Sequence, residues 1–209
     1  MLTTIHTEMT QEALGSRMSQ RAIEIIIAAN LKQDNLSGQF GHNEYHFDNN
    51  DFDKAYAYVK EQRGYVLASL MSPGVLSAWI AFGRLTHAIQ DFYSHTNYVS
   101  MWLAGHNGTP PPPAEIDPLR KDLIESPDMY SAKVYLPWDV MYFIPGLRKF
   151  SLIFLPEDSH GKMNLDSPGQ GPLFPYARAA AVKRTVYEFE LLEKILPPEM
   201  LRKFVDLEA

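Results

Sequence analysis

The chain has 209 residues, 45% of them hydrophobic, a formal net charge of −6 and no cysteine. That length supports one substantial core, and the acidic balance provides no basic footprint for stable nucleic-acid binding. Without thiols there are no disulfides or thiolate sites, so any metal must be held by His, Asp, Glu, backbone or water.

The opening segment, MLTTIHTEMTQEALGSR, has neither a basic nor an apolar leader region. The most apolar later stretch, residues 134–156, is broken by Pro137, Pro145, Arg148 and Lys149. The expectation is a soluble chain, cytoplasmic or secreted without a conventional signal peptide. Residues 5–14 read as a short helix opening at His6. Residues 19–33 read as a core helix with Ala22, Ile23, Ile26, Ile27 and Asn30 on one stripe. The loop that follows carries Asp34, His42 and His46, and Asn49, Asn50 and Asp51 are expected to cap the next helix. That helix, Phe52–Met71, shows Ala55, Tyr56, Val59, Val66, Leu67 and Leu70 at helical spacing. Ser72 and Pro73 then supply the N-cap and first position of a helix predicted to run to about Leu103.

Within it lies FGRLTHAIQDFYSHTNYV, residues 82–99, where His87, Asp91 and His95 recur every four residues. Successive members sit about 40° apart around a helix and about 6 Å apart along it, so all three face one way. His87 and His95 are then separated by about 12 Å of rise, which is long for two ligands of one tetrahedral zinc with bonds of about 2 Å. The spacing would let one ion take His87 with Asp91 and a second take His95, the alternative being three polar residues on an ordinary helix face.

Further on, HNGTPPPPAEIDP is a stiff extended spacer. Residues 134–156 are aromatic and proline-punctuated. They are expected to form a buried irregular layer, the alternative being an exposed apolar lip for a lipid or protein partner. A Gly- and Pro-rich loop follows with His160, Asn164 and Asp166. The chain closes with helices at about Tyr176–Ile195, started by Pro175 and stopped by Pro197, and Pro198–Leu207. No internal repeat or hairpin signature is present. The predicted architecture is all-α, a single-domain helical bundle over residues 1–209 with long functional loops.

Five of the seven histidines, His6, His46, His87, His95 and His160, stand near a carboxylate or an element boundary, while His42 and His106 read as surface residues. No GxSxG elbow, P-loop or GxGxxG is present, which leaves nucleophilic and nucleotide-binding chemistries without support. The ordered set of His6, Asp34, HFDN at His46, HxxxD at His87 and Asp91, then His95 and His160, resembles the zinc-dependent phospholipase C and P1 nuclease superfamily. Within it, EYHFDN, LTHAIQDFYSHTNYV and SHGKMNLDSP are most similar to the branch related to the heterokaryon-incompatibility protein HET-C.

The resemblance spans residues 6 to about 195 and implies two or three zinc ions in an all-α fold. Asp34, His46, His87 and Asp91 would hold one, Asp91 would bridge to a second held with His6, and His95 with His160 would hold a third. The sequence departs from the pattern in three places, one of them the spacing of only three residues between Asp91 and His95, shorter than in the secreted phospholipases. The N-terminal residue is a ligand in secreted relatives, whereas here Met1 lies five residues before His6. The acid expected four residues after the late histidine is Asn164, so Asp166 is the nearest carboxylate. The implied activity is phospholipase C-like hydrolysis of phosphodiesters, with phospholipid as substrate and peripheral membrane contact. Asp91 would share the water-activating ions, Asp34 or Asp48 would orient the water or a ligand imidazole, and Trp138, Tyr45 and Phe47 would line an apolar wall. The alternatives are a P1-type nuclease and a HET-C-like recognition or cell-death protein with weak or lost catalysis.

Overall fold

The structure, a computed structural model, describes residues 1–39, 41–106, 108–142, 144 and 146–207. Its main elements are α1 (Thr3–Leu14), α2 (Gln20–Leu31), α3 (Phe52–Leu70), α4 (Leu76–His95), α5 (Tyr98–Ala104), α6 (Arg148–Phe154), α7 (Phe174–Ile195) and α8 (Pro198–Val205), joined by loops holding single helical turns. Among the described residues there is no strand, only the isolated bridges Thr96–Ser131 and Lys133–Ser159. The all-α expectation therefore holds.

Helix α4 is the axis of the fold. Every residue from Leu85 to His95 is buried, because α2, α3 and α7 pack against it from different sides. One apolar cluster collects residues from Met1 to Phe204. The closest approach is at Gly83, where a Cβ would lie 2.3 Å from the Ile26 carbonyl oxygen and 2.8 Å from Ala29 Cβ. Only glycine lets α2 and α4 meet there. At the far end, Trp79 Nε1 donates to the Phe204 carbonyl at 2.7 Å, and Ser19 caps α2 by accepting from Ala22 N at 3.1 Å.

Several boundaries differ from the sequence reading. Helix α4 begins at Leu76, with Val75 at its cap and no side-chain cap bond, so Ser72 and Pro73 belong to the preceding turn. It ends at His95 instead of running to Leu103. Thr96 is extended (φ −112°, ψ 166°) and its Oγ1 donates to the Phe92 carbonyl at 2.7 Å. The stop is non-local: Ala132 N donates to the His95 carbonyl at 2.7 Å, and Asn97 N to the Tyr130 carbonyl at 3.1 Å. Asn49 and Asn50 do not cap α3. Asn49 N donates to the Ala132 carbonyl at 2.7 Å, while Asn50 and Ser131 exchange two hydrogen bonds of 2.8 and 2.6 Å.

The apolar segment 134–156 is largely an exposed lip and not a buried layer. Leu136 is 66% exposed and Ile153 74%, while Leu155 turns inward. Of the prolines read as breaking it, Pro145 lies outside the described residues. No helix among the described residues is long and apolar enough to cross a membrane.

Candidate metal centre

Five histidines and four aspartates converge where the C-terminal half of α4 meets α1, the end of α2 and two loops. Helix α4 contributes His87, Asp91 and His95, and α1 contributes His6. The turn Lys32–Asp34 that prolongs α2 contributes Asp34, the single turn Asn43–His46 presents His46 with Asp48 just beyond it, and the turn His160–Met163 presents His160 ahead of Asp166. Three residues in left-handed backbone turn the loop around His46 toward α4. Phe47, Asn49 and Asn50 have φ of 56, 58 and 57°, a left-handed region that costs a non-glycine residue about 1–2 kcal/mol. Burial of Phe47 against Phe92 and Tyr56, with ring centroids 5.1 Å apart in both pairs, offsets that cost.

The side chains form three adjoining clusters. In the first, Asp91 Oδ2 lies 2.9 Å from His46 Nδ1 and 3.1 Å from His87 Nε2. Asp34 Oδ1 lies 3.9 and 3.7 Å from the same two nitrogens. Tetrahedral zinc with bonds of about 2.0–2.1 Å places its ligands about 3.3 Å apart, so these four atoms have the spacing of one coordination shell. The second cluster uses the other oxygens of the same carboxylates: His6 Nε2 is 3.2 Å from Asp91 Oδ1 and 3.9 Å from Asp34 Oδ2. The Met1 amine joins it at 2.7 Å from Asp91 Oδ1 and 3.4 Å from Asp166 Oδ1. In the third, His95 Nε2 is 3.1 Å from Asp166 Oδ1, and Asp48 lies 3.3 Å from His95 Nδ1 and 3.3 Å from His160 Nδ1.

Hydrogen-bond direction tells these clusters apart. The Thr185 and Thr86 hydroxyls donate to helix carbonyls at 2.9 Å each, so their oxygens accept from the amides of Gln90 and Asn30. The amide oxygens then accept from histidine: Gln90 Oε1 from His6 Nδ1 at 2.7 Å, and Asn30 Oδ1 from His87 Nδ1 at 3.3 Å. With Nδ1 carrying the proton, Nε2 of both rings is a lone pair aimed at carboxylates that only accept. His46 follows the same pattern, its Nε2 donating to the Gly38 carbonyl at 3.4 Å and its Nδ1 facing Asp91. His6 Nε2 and Asp34 Oδ2 are buried with no hydrogen-bond partner among the described residues. Lone pairs converging in this way call for a cation, and a second layer that fixes ring tautomers is how metal-ligating histidines are held.

Protonation of His6 and His87 is disfavoured. Burial pushes His87 down to about 4 against the pull of Asp91. Burial, assisted by the Met1 amine, also lowers His6. The amine itself, which burial alone would lower, is carried up to about 11 by Asp166, Asp91 and Asp34. Burial opposes ionisation of Asp91, yet the Met1 amine and His95, His87 and His6 hold it well below the usual carboxylate range. The third cluster is different. Burial disfavours charged His95 and His160, but Asp91, Asp48 and Asp166 raise His95 well above its ordinary value, and Asp48 leads in raising His160 to about 9. Protons balance this cluster and the Met1 ammonium supplies positive charge to the second, whereas in the first the imidazole lone pairs of His46 and His87 face the Asp34 and Asp91 carboxylates.

The structure thus gathers every residue read from the sequence as a metal ligand or catalytic group, His6, Asp34, His46, Asp48, His87, Asp91, His95, His160 and Asp166, while Phe47, expected on an apolar wall of the site, is buried in the core against Phe92 and Tyr56. It also adds some. The Met1 amine, tied by a 3.2 Å bond from Leu2 N to the Asp166 carbonyl, and the amides of Asn30 and Gln90 were not among them. In sequence those amides are ordinary polar residues on apolar helices. His42 pairs with Glu44 at 2.9 Å and His106 is exposed, both away from the centre.

The family model of the VWA7 N-terminal domain matches residues 2–108, just over half of the chain. The matched span includes the donors from His6 to His95 and stops before His160 and Asp166. No curated protein and no solved structure matches the chain. The family match overturns the resemblance to the phospholipase C and P1 nuclease superfamily and its HET-C branch. An ordered set of His and Asp reports on metal-type chemistry, and such constellations recur on unrelated chains.

Proposed function

The chain belongs to the VWA7 N-terminal domain family, so its activity is read from its own residues, and we propose that it is a metal-dependent hydrolase of phosphodiester bonds acting on phospholipids. The observation that carries this reading is the pair of carboxylates, Asp34 and Asp91, each directing one oxygen to His46 and His87 and the other to His6. Two shared carboxylates favour two zinc ions side by side, and His95, His160 and Asp166 would hold a third. Bound there, zinc would supply Lewis acidity to a phosphoryl oxygen and acidify a water. The chain's own contribution is to hold Asp91 ionised, to fix the ring tautomers through Gln90 and Asn30, and to keep the donors dry. Asp34, 16% exposed at its side chain, and Asp166, at 14%, form the edge open to substrate. Asp48 would orient the imidazole of His160. The exposed lip at 134–154, which leads through Leu155 to His160, favours an acyl-chain surface and hence peripheral contact with a membrane.

The test is metal content measured together with head-group release from mixed phospholipid vesicles, for wild type and Asp91→Asn. Two or three zinc ions per chain with release that the variant loses is the expected result. Absence of bound metal from the purified wild type would defeat the reading. A second reading, in which the ions only hold the fold, is favoured by the complete burial of His6, His87 and Asp91. It requires bound zinc with no turnover of any phosphodiester.

A further inference from the structure

On the outer side of the loop that carries Asp34 and His46 lies an open groove of about 900 Å³, a volume suited to a small molecule. One wall is a single stripe of α3, where Lys54, Tyr58, Glu61, Gln62 and Tyr65 recur at helical spacing. Opposite stand Lys32, Tyr45 and Arg84. Two features of it are unexplained by folding. Arg84, partly buried on the central helix, has no carboxylate or hydrogen-bond partner among the described residues, and Lys32 has no acid partner either. Gln62 is 3% exposed, yet its Oε1 is buried without a donor. A partly desolvated guanidinium and an orphaned amide facing one cavity carry an unfavourable energy that an occupant would relieve.

We propose that this groove binds a phosphorylated polyol or sugar, with Arg84 and Lys32 taking the phosphate and Gln62, Tyr58 and Tyr65 taking the hydroxylated body. The guanidinium fork matches a phosphate bidentately. Tyr58 accepts from Gln33 Nε2 at 2.6 Å, which leaves its phenol proton to donate. Tyr65, 50% exposed, offers an amphipathic ring face at the rim. His42 stacks on Tyr45 with centroids 4.4 Å apart, Tyr58 meets Tyr45 in a tilted pair at 4.7 Å, and this wall reaches His46, 6.4 Å from Tyr45. The occupant would therefore sit against the loop that shapes the metal centre without touching its donors. This site is additional to the hydrolase reading and does not depend on it.

Calorimetric titration of the purified protein with myo-inositol 1-phosphate, and with myo-inositol as the control, tests the proposal. Saturable binding of the phosphorylated probe alone is expected. Arg84→Leu should weaken it by at least about tenfold, since it removes the charge-assisted hydrogen bonds of the guanidinium, and Tyr65→Ala, at a rim position, should weaken it without affecting the fold. Asp91→Asn should leave it in place. The same Arg84-dependent binding on vesicles containing phosphatidylinositol would identify a lipid headgroup as the source of the phosphate. Failure of the phosphorylated probe to bind overturns the proposal. So does binding that Asp91→Asn abolishes while folded Arg84→Leu and Tyr65→Ala retain it, because the probe would then sit at the metal centre and the hydrolase reading would stand alone.

Discussion

At the scale of single residues, the direction of each proton decides what the centre can hold. Gln90 matters here because it fixes the His6 tautomer by accepting from Nδ1 at 2.7 Å. Gln90→Leu removes that acceptor and should weaken zinc binding by about 10- to 100-fold, measured by competition against a chromogenic chelator, with the helical circular dichroism unchanged. The third cluster has a different signature. In the metal-free protein His160 is raised to about 9, chiefly by Asp48 working against burial, so at pH 7 it is protonated. An ion captured there at pH 7 must displace the proton, whereas above pH 9 there is none to displace. Calorimetry of zinc uptake in two buffers of different ionisation enthalpy should therefore report proton release at pH 7 that declines as pH rises through 9. His87, Asp91 and His95 stood out in the sequence because four-residue spacing on an apolar helix is unusual for charged groups, whereas the ligand roles of His6, Asp34, His46, His160 and Asp166 rested on a family resemblance that the family match overturns. The Met1 amine was not, since its place depends on Leu2 pairing with Asp166, 164 positions away.

At the scale of elements, the packing of α2 on α4 sets the position of Asn30 relative to His87. Gly83→Ala would put a methyl 2.3 Å from the Ile26 carbonyl and 3.1 Å from Asn30 N. Helix propensity favours alanine by about 1 kcal/mol, but overpacking a rigid backbone costs about 1–3 kcal/mol, and here the clash wins. The variant should melt lower than wild type and bind zinc more weakly, because the displaced backbone carries Asn30 off His87. Zinc titration combined with thermal melts checks both effects. The helices themselves were readable from apolar periodicity, and α7 and α8 begin close to where proline placed them. The end of α4 was not readable, because FYSHTNYV has no local breaker and the stop comes from pairing with residues 130–132. The segment 134–154 misled for a related reason: apolar composition cannot distinguish a core layer from an exposed surface.

At the scale of the whole molecule, removing metal should cost stability measurably. A free ion at 100 times its dissociation constant adds about 2.7 kcal/mol, equivalent to about 5–10 °C for a chain of this size. Chelation should lower the melting temperature by that amount, and added zinc should restore it. Ile153→Ser, at a site 74% exposed, should leave the melting temperature alone and reduce co-sedimentation with phospholipid vesicles.

The ligand atoms of the first two clusters are strung along the chain at positions 6, 34, 46, 87 and 91, and those of the third reach position 166. Closing loops of that length is entropically costly and slow relative to helix formation. Tight ion capture must therefore wait until α1, α2, α4 and the His46 loop have already docked. On the proposed metal reading zinc would be a late arrival in folding: it should leave the refolding rate nearly unchanged and slow unfolding, so that the ion would act as a lock on the finished chain and not as a seed for it.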